Sequence, residues 1–214
     1  MFVRIPFWFL VASLALVMLL RWVPVRYTPL MLKRAFQFRS DEDYCRKQKW
    51  VSLEDVSPVL IKAVLLCEDQ KYYSHHGFDW DEMRTMWKLH KQEGMPIRGC
   101  STISQQTAKN VFTFGSPTIL RKAIEAYWTC LIELVWGKAR ILEVYLNVAE
   151  MGKGIYGVRV AALEYYDVPV KDLTAKEAVS LAITLPRPLV YSPLCLPPEL
   201  RHKRQLVLDH FLGM

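Results

Sequence analysis

The segment Glu68-Asp69-Gln70-Lys71-Tyr72-Tyr73-Ser74-His75-His76-Gly77-Phe78-Asp79 opens with a carboxylate at the end of an apolar stretch, Ala63-Val64-Leu65-Leu66-Cys67. Apolar surroundings disfavour the charged form of a carboxyl and raise its pKa, which suits a general base or acid. A helix-end glutamate satisfied by a nearby cation is the ordinary alternative. A second segment, Gly99-Cys100-Ser101-Thr102-Ile103-Ser104-Gln105-Gln106-Thr107-Ala108-Lys109-Asn110, places Gln105 and Lys109 four apart, on one face of a helix. Ser101 and Thr102 stand at the helix start, where free backbone N–H groups attract anions. Amides beside an ammonium suit a sugar phosphate, although capping with solvent-facing polar residues gives the same pattern. The third segment, Arg121-Lys122-Ala123-Ile124-Glu125, puts both cations within one helical turn of a carboxylate. It is either a surface ion-pair cluster of little energetic weight or a cationic patch for a diphosphate with a carboxylate beside it. The fourth runs Ile141-Leu142-Glu143-Val144-Tyr145-Leu146-Asn147 and then Gly152-Lys153-Gly154-Ile155-Tyr156-Gly157. Its apolar helix is core-like. Its glycines lack the preceding strand of a nucleotide-binding fingerprint.

Helices must position these side chains. Ser57 as N-cap and Pro58 as first helical residue predict a helix to Asp69. A loop over 72–79 follows, then a helix from Asp81 to Gln92 carrying Met83, Met86 and Trp87, then a second loop marked by Gly94, Pro96 and Gly99. A short helix is expected from Thr102 to Val111, a long one from Ser116-Pro117 through Trp136, and another from Lys138 to Ala149. The last, Asp172 to Leu185, carries a capping-box pattern, Thr174 with Glu177, and ends at Pro186 and Pro188. No alternating strand pattern and no internal repeat is present, so the fold class is mainly α.

The N-terminus is apolar on every side. Ile5 to Leu20 carries no charge, and the run to Val25 is interrupted only by Arg21. Twenty-odd residues cover the roughly 30 Å hydrocarbon core at about 1.5 Å per residue. With no small-x-small cleavage site after it, the run reads as an uncleaved anchor rather than a signal peptide. The expected organisation is an anchor over 1–25, a juxtamembrane segment over 26–50 and a catalytic domain over 51–214. The segment 26–50 is either a surface-lying stretch or the first helix of the domain. Arg4 precedes the anchor while Arg21, Arg26, Lys33 and Arg34 follow it, so loop charge alone would keep the domain in the cytoplasm.

The 214 residues, net charge of +7 and pI of about 9.2 suit one domain with anionic partners. The bland alternative is a modest positive excess that only aids solubility. Five cysteines, with no C-x-x-C pair, are read mostly as small buried thiols. The basic residues form no stripe, so nucleic acid is not an expected partner.

In order and spacing, the four segments resemble the motifs of the peptidoglycan glycosyltransferases, and more closely those of the monofunctional biosynthetic transglycosylases. The family shows E-D-x-x-F-x-x-H-x-G-x-D, then G-x-S-T-I-x-Q-Q-x-x-K-N, then R-K-x-x-E, then K-x-x-I-L-x-x-Y-L-N with G-x-G-x-x-G. Each is present here in order, the fourth from Lys138, and the resemblance covers roughly residues 24 to 190. It implies a lysozyme-like, two-lobed helical domain with an N-terminal transmembrane helix. It implies lipid II as substrate, polymerised into glycan strands at the outer face of the bacterial inner membrane. Long domains translocate largely regardless of charge, which removes the orientation conflict.

The resemblance makes Glu68 the catalytic base and Glu125 the second catalytic glutamate, supporting the diphosphate. Lys109, Arg121 and Lys122 match its cations. Ser101, Gln105 and Gln106 match sugar- or phosphate-contacting positions, and Asp69 orders the loop beside the base. No cofactor is required and no protein metal site is expected; a divalent cation near the diphosphate is the one candidate. Expected partners are lipid II, the growing glycan strand, the membrane and other cell-wall synthases. Tyr72 stands where the family often has Phe, Cys100 where it has Gly or Ala, and Pro117 where many members carry an arginine. The chain length leaves no room for a transpeptidase domain, so crosslinking is not expected. A glycan-cleaving enzyme would need an acid for a poor leaving group and has no use for the cations near Glu125. A non-catalytic lipid II-binding or scaffold protein is the alternative from another class.

Overall fold

A computed structural model describes residues 4–94, 99–114 and 118–212. The chain is mainly helical, as the sequence predicts. The apolar helix α1 spans Arg4–Trp22 and α2 spans Pro29–Gln37, the latter capped by the Thr28 hydroxyl, which accepts from Met31 N–H. Then come β1 (Lys47–Gln48), a 3-10 turn (Leu53–Asp55), α3 (Pro58–Glu68) and α4 (Trp80–Glu93). They are followed by α5 (Ile103–Phe112), α6 (Ile119–Val135) and α7 (Gly137–Val148). The chain continues with β2 (Glu150–Gly152), β3 (Ile155–Tyr156), α8 (Val158–Tyr166), α9 (Ala175–Thr184) and α10 (Pro198–Leu212).

Helix α5 packs against both α6 and α7, and α3 against α9, which also carries α10. Ile103, Ile132, Ile141, Leu142, Leu60 and Leu181 are fully buried where these helices meet. Burying such side chains stabilises the fold by about 1.5–3 kcal/mol each relative to exposure. The segments that carry Glu68, Lys109 and Glu125 therefore sit on well-packed helices.

Three features differ from the sequence reading. The glycine loop is a hairpin, β2 antiparallel to β3, extended by β1 running parallel to β3 with Lys47 opposite Ile155. Strands of two or three residues carry no readable alternation. Gly154 makes the turn at φ +74, and a Cβ there would lie 2.4 Å from the Cys45 carbonyl oxygen. Second, α8 and α10 had no counterpart in the expected helices. Third, the cysteines, read mostly as buried thiols, are exposed at Cys45, Cys130 and Cys195 and half-buried at Cys67 and Cys100. Residues 26–50, read either as a surface-lying stretch or as the first helix of the domain, contribute α2 and β1 to the folded body, and α2 is locked on by a bidentate pair at 2.9 Å between Arg34 and Glu150. The expected helix start at Ser116-Pro117 lies outside the described residues, as does Pro96; α6 is capped by Thr118, whose hydroxyl accepts from Arg121 N–H.

Helix α1 is long and apolar enough to cross a membrane over Ile5–Trp22 and is mostly exposed. It lies along α6 from Phe9, whose ring is 5.7 Å from that of Tyr127, through the buried Ser13 and Val17 to its last turns. Trp136 Nε1–H donates to the Val17 carbonyl at 2.7 Å, Arg140 to those of Leu20 and Val23, and Arg21 to that of Val135. The carbonyls that a helix end leaves without partners are thus met by a guanidinium.

Candidate active site

The cleft forms where α3 ends and α5 begins. Asp69 is the C-cap of α3, with φ −162, so the chain leaves the helix immediately after Glu68. The Asp69 carboxylate accepts from Ile103 N–H at 2.9 Å and from His75 Nε2 at 3.0 Å. It therefore ties the end of α3 to one of the orphan donors in the first turn of α5. His75 Nδ1 accepts from Gly77 N–H at 3.1 Å, which leaves the proton of the neutral ring on Nε2. The Thr102 hydroxyl donates to the Gly77 carbonyl at 2.6 Å and accepts from Gln105 N–H, while Gln105 Oε1 accepts from Thr102 N–H, a complete capping box. Gly77 is required at φ +90, where a Cβ would also stand 2.9 Å from Thr129 Cγ2. Behind this turn Glu133 accepts from Ser104 Oγ at 2.5 Å and Lys138 Nζ at 2.6 Å.

The Glu68 carboxylate accepts from Gln106 Nε2 at 2.9 Å. It faces a cavity of about 290 Å³ shared with Asp69, Lys71, Asp79, Cys100 and Ser101. Burial pushes its carboxyl above the usual carboxylate range, and Asp69 pushes the same way; the Gln106 hydrogen bond and the ammonium groups of Lys203 and Lys109 oppose the rise. Desolvation prevails, which is the arrangement a general base uses.

The other glutamate is held differently. Glu125 is buried, and both carboxylate oxygens are taken: Oε2 by Arg121 at 2.5 Å and Oε1 by Lys122. Lys122 Nζ also donates to Ser101 Oγ at 3.2 Å. Lys109 lies within electrostatic reach of both glutamates. Burial pushes its ammonium below the usual lysine range, with Arg121 and Lys122 adding to the effect, while Glu125 and Glu68 oppose it. It lines a second cavity of about 240 Å³ with Arg34, Gln106, Asn110, Tyr145 and Glu150. Gln106 lines this cavity and donates to Glu68, which lines the first.

Among the sequence-predicted residues, Glu68, Asp69, Ser101, Gln106, Lys109, Arg121, Lys122 and Glu125 come together. Gln105 is buried and engaged in the helix cap instead. Cys100 lines the cavity, with its thiol pushed up by burial. Pro117 lies outside the described residues. The residues do not fit a resident metal: both oxygens of Glu125 face cations, and no group of three or more His, Cys, Asp or Glu side chains among the described residues could hold an ion. Lys203 on α10 and Tyr145 on α7 were not singled out from sequence. Pro197-Pro198-Glu199 is a helix-start signal that could have revealed α10.

The transglycosylase family model matches residues 31–212, and so spans the whole site. A biosynthetic peptidoglycan transglycosylase of Mannheimia succiniciproducens is 44% identical over 186 residues, covering 86% of this chain and 76% of its own. Proteins of the same description from Pasteurella multocida and Bdellovibrio bacteriovorus are 41% identical over 208 residues (96% and 84% of the two chains) and 45% identical over 181 (84% and 72%). With its mainly helical, lysozyme-like architecture and this coverage, the chain belongs to the transglycosylase family, the peptidoglycan glycosyltransferases.

Proposed function

We propose that the chain polymerises lipid II into glycan strands, with Glu68 as general base. The carboxylate takes the proton of the acceptor sugar 4-hydroxyl. That oxygen forms a bond to the donor's anomeric carbon as the bond from that carbon to the diphosphate oxygen breaks. Undecaprenyl diphosphate leaves with the bonding pair, and the α-linkage becomes β. The leaving group gains charge as it departs, so fixed cations lower the barrier more than a general acid would. Lys109, Arg121 and Lys122 carry that role, Glu125 sets the spacing of the last two, Ser101 and Gln106 contact sugar or phosphate, and Asp69 orders the loop. Gln105 acts through the helix cap. The pairing of one desolvated, amide-bound carboxylate with a separate cation cluster around a second carboxylate is the observation that supports this reading.

In the same reading residues 1–25 anchor the protein in the bacterial inner membrane, 26–50 carry the chain from the membrane onto the domain, and the catalytic domain over 51–214 works on the periplasmic side. Its partners are lipid II, the growing strand, the membrane and other cell-wall synthases, and it needs no cofactor. The test is polymerisation of purified lipid II in detergent, wild type beside Glu68→Gln. Glycan from the wild type and a loss of roughly 10²–10⁴-fold in the variant is expected. A folded wild type that binds lipid II and makes no glycan would overturn the reading in favour of a binding protein.

A further inference from the structure

The hydrogen bond that Glu68 accepts depends on which way the Gln106 amide points. An amide reversed about its last torsion would present its carbonyl oxygen to the carboxylate, a repulsive arrangement once Glu68 is ionised. Three contacts decide the orientation. Nε2 faces two acceptors, Glu68 Oε2 at 2.9 Å and the Ser101 carbonyl at 3.2 Å. Oε1 faces the Tyr145 hydroxyl at 3.2 Å. Tyr145 is fully buried on α7, and burial pushes its phenol well above the usual tyrosine range, so it remains a donor at working pH.

We infer that Tyr145 is a positioning residue for the base: its hydroxyl fixes the Gln106 amide so that Nε2–H is always turned to Glu68. Tyr145 sits on the face of α7 that packs on α5, and only its oxygen is polar, so the ring supplies rigidity and the hydroxyl supplies direction. Glu68 thus keeps a neutral donor that stabilises its carboxylate without the full positive charge that would make it a weak base. The other groups facing Glu68 are Asp69 and Cys67 from its own helix end, Lys109 from α5 and Lys203 from α10. None of them sets the amide's direction. The inference rests on Glu68 being the base.

Tyr145→Phe removes one oxygen and keeps the ring. The full chain in detergent with lipid II gives the pH dependence of kcat and of kcat/KM. The expected result is an acid limb displaced to higher pH in both, with rates about fivefold down below the limb and converging with wild type above it, at unchanged KM. Gln106→Met, which deletes the donor itself, should displace the limb at least as far, on top of a pH-independent loss from its sugar or phosphate contact, and adding Tyr145→Phe to it should displace the limb no further. A Tyr145→Phe profile matching wild type, or one lowered equally at every pH, would overturn the inference; the second pattern marks a purely structural tyrosine. Glu68→Gln runs in the same assay. If it retains activity the base assignment fails, and this inference fails with it, whereas an inactive Glu68→Gln beside an unaltered Tyr145→Phe defeats this inference alone.

Discussion

Glu68 and Glu125 are the same residue at the two ends of one group of interacting side chains, and the chain treats them in opposite ways. Glu68 ends a helix among apolar neighbours, receives a neutral amide, and has its carboxyl raised by burial. Glu125 lies in the middle of α6, more deeply buried, and is clamped by two cations one turn behind it. A cation occupies each carboxylate oxygen of Glu125. The carboxylate of Glu68, stripped of water and given one amide donor, is eased by taking up a proton. Partners, not residue type, divide the proposed roles: Glu68 as the group that exchanges protons and Glu125 as the group that holds cations in place.

Glu68→Gln attacks the first half of that contrast and has the largest expected effect, a loss of roughly 10²–10⁴-fold in turnover. It should also stabilise the protein. A carboxyl raised in the folded state contributes stability that is complete below the ordinary carboxylate pKa and is lost as pH rises through the folded value. At neutral pH the wild type therefore carries a destabilising charge that glutamine lacks. Thermal unfolding at pH 7.5 should show a higher midpoint for the variant, and the gap should narrow as the pH is lowered. An equal or lower midpoint would contradict the desolvated base.

Lys109→Met tests the link between the two ends. Lys109 feels both glutamates and is depressed by burial, so its charge is maintained against desolvation. Removing it should cost on the order of 10²-fold in kcat by loss of a leaving-group contact, while circular dichroism stays native. A drop of only a few-fold in steady-state polymerisation would shift the diphosphate role onto Arg121 and Lys122.

Glu125→Gln should move stability in the direction opposite to Glu68→Gln. One amide cannot satisfy both Arg121 and Lys122. Their side chains are 22% and 45% exposed, which limits the penalty to about 1–3 kcal/mol. Denaturant unfolding should show that loss, with turnover falling roughly tenfold as the cations lose their spacing. If both glutamine variants shift stability the same way, the contrast between the glutamates is wrong.

How much of this was legible depended on whether the cause was local. Ser57-Pro58, Thr102 with Gln105, and Thr174 with Glu177 mark helix starts within four residues, and the structure puts α3, α5 and α9 there. Helix α8 starts at Gly157 with no side-chain cap, directly after the hairpin, and offered no such mark. Glu68, Lys109 and Glu125 stood out through motif order. Spacing singled out Gln105 as the partner of Lys109 on one helix face, yet Gln105 caps α5 and its neighbour Gln106 reaches Glu68 across 38 positions, a split that only the rotation of α5 decides. Tyr145 read as core, and it is core; its hydroxyl acquires meaning only from α5 lying against α7.

Lys203 gives the smallest effect and the finest test of the comparison. It comes from α10, far along the chain, and its half-buried ammonium lowers the carboxyl of Glu68 through space, alongside Lys109. If Glu68 is governed mainly by desolvation and Gln106, a distant cation should only trim its behaviour. Lys203→Met should therefore displace the acid limb of kcat/KM to higher pH by less than Tyr145→Phe does, with a loss of no more than two- to threefold below the limb and none above it. Because the interaction crosses partly solvated space, salt should mimic the variant: raising ionic strength from about 0.01 M to 1 M shrinks the screening length from roughly 30 Å to 3 Å. Wild type in high salt and Lys203→Met in low salt should then give similar profiles, and Lys203→Met should be nearly insensitive to salt on the acid limb. A displacement larger than that of Tyr145→Phe would mean that Glu68, like Glu125, is governed by a cation, and the two glutamates would differ in degree rather than in kind.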